Sequence, residues 1–328
     1  MKRLMVAAPV FLLLFACTTP APQTVQPPSP PPAVNREVAA APTPKAQLQK
    51  PADVLADVLA NYQETTTNCR EYGSDKPRGH YYCSGVLVRT VNNGAFEPWK
   101  YSPTAVSIGA TSYTWMRKDV AQTTLYHRAG FILRNRIDGI RRKLPALESG
   151  FICLYPYDAG TSTANGHQGC GYRGKGAKAA VNPPAPIAVN DDNSAYAWGS
   201  CAGLGITTAS QWNNHFTSVG QNRGRQCSWS MDDQHGWNNM IASRAGLPNL
   251  QIVWNEILLK NKDDGGQMPK YIAAFFYDVS KAGGLGDAQE FQRKMNAVGY
   301  NVPILRLSFV NAAGNIFSYV AADQAVPQ

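Results

Sequence analysis

Asp232, Asp233 and His235, with Asn238 and Asn239 close behind, have the side chains to hold a metal ion and attack a phosphodiester. The same residues equally suit the polar start of a helix, where a short acid satisfies free backbone N–H groups. Sulfur is the other reactive element: Cys17, Cys69, Cys83, Cys153, Cys170, Cys201 and Cys227. No two of them have Cys-x-x-Cys spacing, which argues against a zinc site. Gly283, Gly284 and Gly286 precede a helical pattern but lack the spacing of a dinucleotide fingerprint, so they read as a turn. The chain contains no G-x-S-x-G elbow, no Walker A loop and no H-E-x-x-H pair, and its five histidines are dispersed. The best-known hydrolase, nucleotide-binding and metalloprotease signatures are therefore excluded.

The elements that must carry any site follow from periodicity. Val54, Leu55, Val58, Leu59 and Tyr62 share one helical face, predicting a helix from near Ala52. Strands are predicted at Cys83–Thr90, Ser112–Arg117, Phe151–Tyr155, Tyr271–Asp278, Val302–Val310 and Ile316–Val320. Thr208-Ala209-Ser210-Gln211 has the capping-box pattern that opens a helix. Asn249 is predicted to cap another, with Leu250, Val253, Trp254, Ile257 and Leu258 at helical spacing. A last helix opens at Asp287 with Glu290, carries Phe291, Met295 and Val298, and ends at Gly299. Helices and strands do not strictly alternate. The expected fold is α+β: a mixed, mainly antiparallel sheet with flanking helices, in a single disulfide-stabilised domain.

The N-terminus is read as an export signal. Lys2 and Arg3 precede the apolar run Val6–Phe15, too short for the roughly 20 residues of a spanning helix. Leu14-Phe15-Ala16-Cys17 resembles the bacterial lipobox. That resemblance implies cleavage after residue 16 and acylation of Cys17 by palmitate-like chains, enough for stable anchoring. Thr18 in place of Asp favours the outer membrane. Residues 17–51 are then a lipidated Cys and a Pro-rich tether, biased toward extended polyproline II, and residues 52–328 the folded domain. Net charge is +9, or +7 without Lys2 and Arg3. The cluster Arg134, Arg136, Arg141, Arg142 and Lys143 lacks the interleaved aromatics of a nucleic-acid binder, so nucleic acid is not the expected partner. Setting Cys17 aside leaves six cysteines, an even number that suits three disulfides in an oxidising compartment. Six allow 15 connectivities. The simplest pairs neighbours: Cys69–Cys83, Cys153–Cys170 and Cys201–Cys227. Cys153–Cys170 would staple the loop that carries Asp158.

Several segments resemble halovibrin-like secreted proteins. Cys83-Ser84-Gly85-Val86-Leu87-Val88-Arg89 is similar to their CSGVLIR segment, and Trp99 to Pro103 to their W-N-P-S-P stretch. Thr111-Ser112-Tyr113-Thr114-Trp115-Met116-Arg117-Lys118-Asp119 resembles VSFSYLRKD. Cys153 to Asp158, Gln168 to Gly171, and Gly205 to Trp212 resemble their Cys-x-x-P-x-D, QGCG and GITTAxQW segments. Asn255-Glu256, Ala274 to Tyr277, and Asp323-Gln324 complete a match spanning about residues 52 to 324. The lipobox and tether depart from the family's plain signals, which puts release into the medium in doubt.

The resemblance implies an enzyme acting on NAD, an ADP-ribosyltransferase or NAD glycohydrolase, with NAD as substrate and no cofactor. Breaking the nicotinamide–ribose bond builds positive charge on the sugar, as in glycoside hydrolysis. The candidate carboxylates opposing that charge are Glu256, Asp158 and Asp119. Arg89 and Arg117 are the candidates for the pyrophosphate, where an Arg fork binds in bidentate fashion. Ser112 and Thr114 are candidates for the ribose, and Trp115 or Phe276 for stacking. Arg89, Ser112 and Glu256 follow the Arg, Ser, Glu order of ADP-ribosyltransferases, although the helical reading puts Glu256 off the apolar face. Two other classes stay open. One is a non-enzymatic envelope lipoprotein that binds a partner; the other is a metal-dependent nuclease using Asp233 and His235. Convergence of Arg89, Ser112 and an acidic side chain on one cleft argues against the non-enzymatic class.

Overall fold

The computed structural model describes residues 50–70, 76–91, 97, 100–101, 105, 110–134, 136–137, 140–141, 151–157, 201–219, 227–229, 233–246, 255–260, 271–310 and 315–325. Contacts divide the chain into Met1–Pro44 and Lys45–Gln328, and the following concerns the second unit. Cys17, the tether up to residue 49, Asp158, Cys170 and Asp232 lie outside the described residues.

Helix α1 (Pro51–Gln63) begins with a proline in its first turn, where the missing N–H costs nothing. It buries Val54, Val58 and Tyr62 at successive turns. The small ladder β1 (Cys69–Arg70) with β2 (Pro77–Arg78) leads into β3 (Val86–Thr90) and β4 (Ala110–Met116). Then come β5 (Ala129–Leu133), the short pair β6 (Arg136–Ile137) and β7 (Ile140–Arg141), and β8 (Phe151–Tyr155). Helices α2 (Ala209–Val219) and α3 (Gln234–Ala245) precede β9 (Glu256–Lys260). The chain closes with β10 (Ile272–Asp278), α4 (Gly284–Ala297), β11 (Ile304–Leu307) and β12 (Phe317–Ser318).

Eight strands form one sheet in the order β12-β11-β10-β5-β3-β4-β9-β8. Only the β10–β11 pair, joined through α4, is parallel; the other pairings in this sheet are antiparallel. The fold is α+β. Strand alternation sends side chains to two apolar faces. Val86, Val88, Met116, Ile132, Ala274 and Phe276 pack with Val54, Val58 and Tyr62 of α1. Leu87, Trp115, Phe131, Ile257 and Phe275 pack with Trp212 of α2, Trp237 and Met240 of α3, and Phe291 and Met295 of α4.

Two glycines allow this packing. A Cβ on Gly130 would stand 2.0 Å from the Arg89 carbonyl oxygen, so only glycine lets β5 close against β3 there. Gly85, at φ 73°, turns the chain into β3. That left-handed conformation explains why β3 begins at Val86 and not at Cys83.

Two of the neighbour pairings are present. Cys69 joins Cys83 with Cα atoms 5.4 Å apart, and Cys201 joins Cys227 at 4.9 Å. Each closed loop contributes on the order of 3 kcal/mol in the chain-entropy account. Cys153–Cys170 falls outside the described residues.

The helix expected after Asn249 is corrected: Glu256–Lys260 is strand β9, and Leu250 to Trp254 lie outside the described residues. Ile257, Leu258 and Leu259 are all buried. A strand covered on both faces reads as a continuous apolar run, and such a run also satisfies a helical template. The capping box at Thr208 is formed in full. The Thr208 hydroxyl accepts from the Gln211 N–H at 3.2 Å, and Gln211 Oε1 accepts from the Thr208 N–H at 3.0 Å.

Candidate functional site

Strands β3, β4 and β9 position the candidate residues. Val88 pairs with Thr114, so the next residues, Arg89 and Tyr113, stand side by side; the guanidinium carbon lies 5.9 Å from the Tyr113 ring centre. Tyr113 pairs with Ile257, which puts Thr114 beside Glu256. Ser112 and Thr114 thus share a face with Glu256, and Arg89 is on the other. The Ser112 hydroxyl donates to Glu256 Oε1 at 2.5 Å, and Arg89 Nη1 donates to the Ser112 carbonyl at 2.8 Å. Three residues far apart in sequence therefore meet at Ser112, one strand in from the β9 backbone.

Glu256 is 1% exposed, whereas Ser112 and Arg89 are half-buried. Burial pushes the Arg89 pKa down, against the opposing effects of Tyr113 and Glu256. One of the five guanidinium N–H groups is spent on Ser112, leaving donors for an anionic ligand. Burial drives the Tyr113 phenol up, so it stays protonated.

Asn255, unassigned in the sequence reading, positions Glu256. Its side-chain oxygen accepts from the Trp115 N–H and its Nδ2 donates to the Trp115 carbonyl, both at 2.7 Å. The amide thus imitates one more rung of the β4–β9 ladder and fixes where β9 starts. Gln324 does the same at the opposite side of the sheet, bonding both the N–H and the carbonyl of Ile304. Its neighbour Asp323 takes the Arg306 fork and the Tyr277 hydroxyl.

Arg117 and Asp119 are placed together, apart from this group. Arg117 is 1% exposed and grips Asp119 through Nε at 2.5 Å and Nη2 at 2.8 Å. Its Nη1 donates to the Ser84 hydroxyl at 2.8 Å, and its guanidinium stacks on Trp115 at 4.8 Å. A fork committed in this way braces the turn after β4. The stacking candidates Trp115 and Phe276 are fully buried core residues. Asp233 caps α3, accepting from the backbone N–H groups of His235 and Gly236, and His235 Nε2 lies 2.7 Å from the Thr207 carbonyl. This is the polar helix start that the sequence also allowed.

His80 is a second buried ionisable group, between Trp237 at 6.1 Å and Trp115 at 6.4 Å. Both its ring nitrogens lack a hydrogen-bond partner. Burial first, then Arg117, push its pKa down to about 4, with Asp119 pulling the other way. The folded protein keeps this ring neutral, and unfolding lets it take up a proton near the ordinary value of about 6.5. Its contribution is therefore complete above about pH 6.5 and is lost as pH falls toward 4. Allowing for solvent screening, the loss is about 2 kcal/mol. In His80→Phe the acid limb of the stability curve should flatten by about that amount in denaturant titrations. An acid limb identical to wild type would show that the ring is not buried in its neutral form.

No family model matches the chain, and no curated protein matches it.

Proposed function

We propose that the protein is an exported, lipid-anchored enzyme of the halovibrin-like kind that cleaves the nicotinamide–ribose bond of NAD. The ADP-ribosyl group passes to water or to a protein acceptor. The observation that carries this reading is the hydrogen bond from the Ser112 hydroxyl to the buried Glu256, with Arg89 bonded to the Ser112 backbone carbonyl from the other face of the sheet. Glu256 supplies the negative charge that opposes the developing oxocarbenium ion, in surroundings where a fixed charge acts strongly. Ser112 orients that carboxylate and, with Thr114, meets the ribose. Arg89 directs its remaining donors to the pyrophosphate. Asp119 is held by the Arg117 fork, and Asp233 caps α3.

Arg89→Ala should raise KM for NAD by about 10- to 100-fold, the effect of losing a charge-assisted contact. Arg89→Lys should recover part of the loss, because a point charge replaces a planar fork. The assay is release of free nicotinamide by folded, oxidised protein. Wild-type KM in both variants would remove Arg89 from the site.

A further inference from the structure

Three turns meet at one end of the eight-stranded sheet. Ala129, which opens β5, pairs with Tyr277 near the end of β10, and Asp278 pairs with Leu307 at the end of β11. Hydrogen bonds tie the turns together. The Asp278 N–H donates to the Arg128 carbonyl at 2.8 Å, and the Val279 N–H donates to the Leu307 carbonyl at 3.0 Å. The Lys281 ammonium donates to the carbonyls of Leu125 and Tyr126.

Each turn leaves one large apolar side chain outside. Tyr126 is 68% exposed, Val279 45% and Val310 87%. They are three of the five large apolar side chains so exposed among the described residues, so the exposure gathers at this end. The charges beside them have one sign. The Arg128 side chain is 44% exposed, whereas its partner Asp287 is 5% exposed and lies inward. Asp278, the one acid in residues 125–128, 278–281 and 307–310, is buried. A tyrosine and aliphatic side chains beside cations, with no exposed acid among them, suit the boundary between headgroups and acyl chains of an anionic bilayer. Three side chains are too few for a stable protein interface of roughly 1,000 Å². They suffice for a domain that a lipid on Cys17 already holds within reach of the bilayer, because tethering raises the local concentration.

We propose that this end of the sheet rests on the anionic leaflet that holds the anchor. Tyr126, Val279 and Val310 enter the headgroup boundary, and Arg128 and Lys281 face lipid phosphates. The proposal rests on the lipid-anchored part of the proposed function and is independent of the chemistry at Glu256.

Hydrogen exchange of the acylated full chain on vesicles tests it. With phosphatidylglycerol present, amides in residues 123–128, 278–282 and 308–310 should exchange about tenfold more slowly than on phosphatidylcholine alone, the effect of one or two cations at an anionic surface. Amides around Val298, about 20 Å away past the far end of α4, should not change. Salt at about 0.5 M should remove the difference. The triple variant Tyr126→Ser, Val279→Ser, Val310→Ser should lose the protection and keep the wild-type melting temperature. Equal exchange on the two kinds of vesicle, or full protection in the triple variant, overturns the proposal. Protection that appears without vesicles as protein concentration rises assigns the patch to a second copy and overturns it too. If the chain carries no acyl group, co-sedimentation with the phosphatidylglycerol vesicles decides. Binding by wild type that the triple variant loses supports the surface without the anchor, and no binding overturns it.

Discussion

Glu256→Gln should lower kcat for nicotinamide release by about 10²- to 10³-fold, the usual loss when a group that stabilises transition-state charge is removed. Gln is nearly isosteric with Glu and keeps an oxygen that accepts from the Ser112 hydroxyl. The Asn255 amide still pairs with Trp115 and fixes the start of β9. The change therefore removes charge and leaves position. The melting temperature should not fall, because a carboxylate only 1% exposed costs desolvation that an amide avoids. KM should move little, since ground-state contacts come from Arg89 and the hydroxyls. A drop in activity accompanied by a collapse in stability would instead mark Glu256 as a structural residue.

Arg244→Ala should produce the largest loss of stability, about 3 to 5 kcal/mol by denaturant titration. Arg244 is fully buried on α3. It donates to the Ala121 carbonyl at 2.8 Å, the Pro156 carbonyl at 2.6 Å and Gln122 Oε1 at 2.7 Å. These partners are all neutral, and burial pushes the guanidinium down to about 10, with Tyr157 opposing. Truncation relieves a desolvated cation, which favours the variant. It also takes the donor from the buried Pro156 carbonyl, at about 1 to 3 kcal/mol, and from the half-buried Ala121 carbonyl and Gln122 Oε1 at less each, and opens a cavity worth a few more. The second pair of effects is larger, and the net is a sizeable share of a typical domain's 5 to 15 kcal/mol. Arg244→Lys, with one point donor, should fall between. A variant as stable as wild type would show that the three acceptors find other partners.

Much of the scaffold is legible in the sequence where local pattern and burial agree. Val54, Val58 and Tyr62 give α1 through their spacing, and Thr208 with Gln211 gives the start of α2. The β10, α4, β11 unit is readable from Phe275 to Leu307, because buried strands and an amphipathic helix leave different periods. Helix α3 leaves no such trace. Its buried residues include Asn239, Ser243 and Arg244 beside Trp237 and Met240, so no apolar stripe marks it. Strand β5 is the five-residue apolar run Ala129–Leu133, too short to declare its type, yet it holds a central place in the sheet.

The site is legible in composition and illegible in geometry. Ser112 and Thr114 alternate on one strand as expected. Glu256, on a helical reading, faces solvent, and only its pairing with β4 buries it beside Ser112. Arg89 and Arg117 are alike in sequence. Three-dimensional partners separate them: Arg117 is gripped by Asp119, whereas Arg89 rests on a carbonyl and keeps donors to spare. Asn255 carries no signal a sequence can show, because its role lies in a ladder rung.

The most direct measurement mixes folded, oxidised wild-type protein and its Glu256→Gln variant separately with NAD and follows free nicotinamide with time. Steady release by wild type, with release by the variant about 10²-fold slower or more, is the predicted result. Equal release by both, or none by the wild-type protein, would contradict the assignment of Arg89, Ser112 and Glu256 as the site of NAD cleavage.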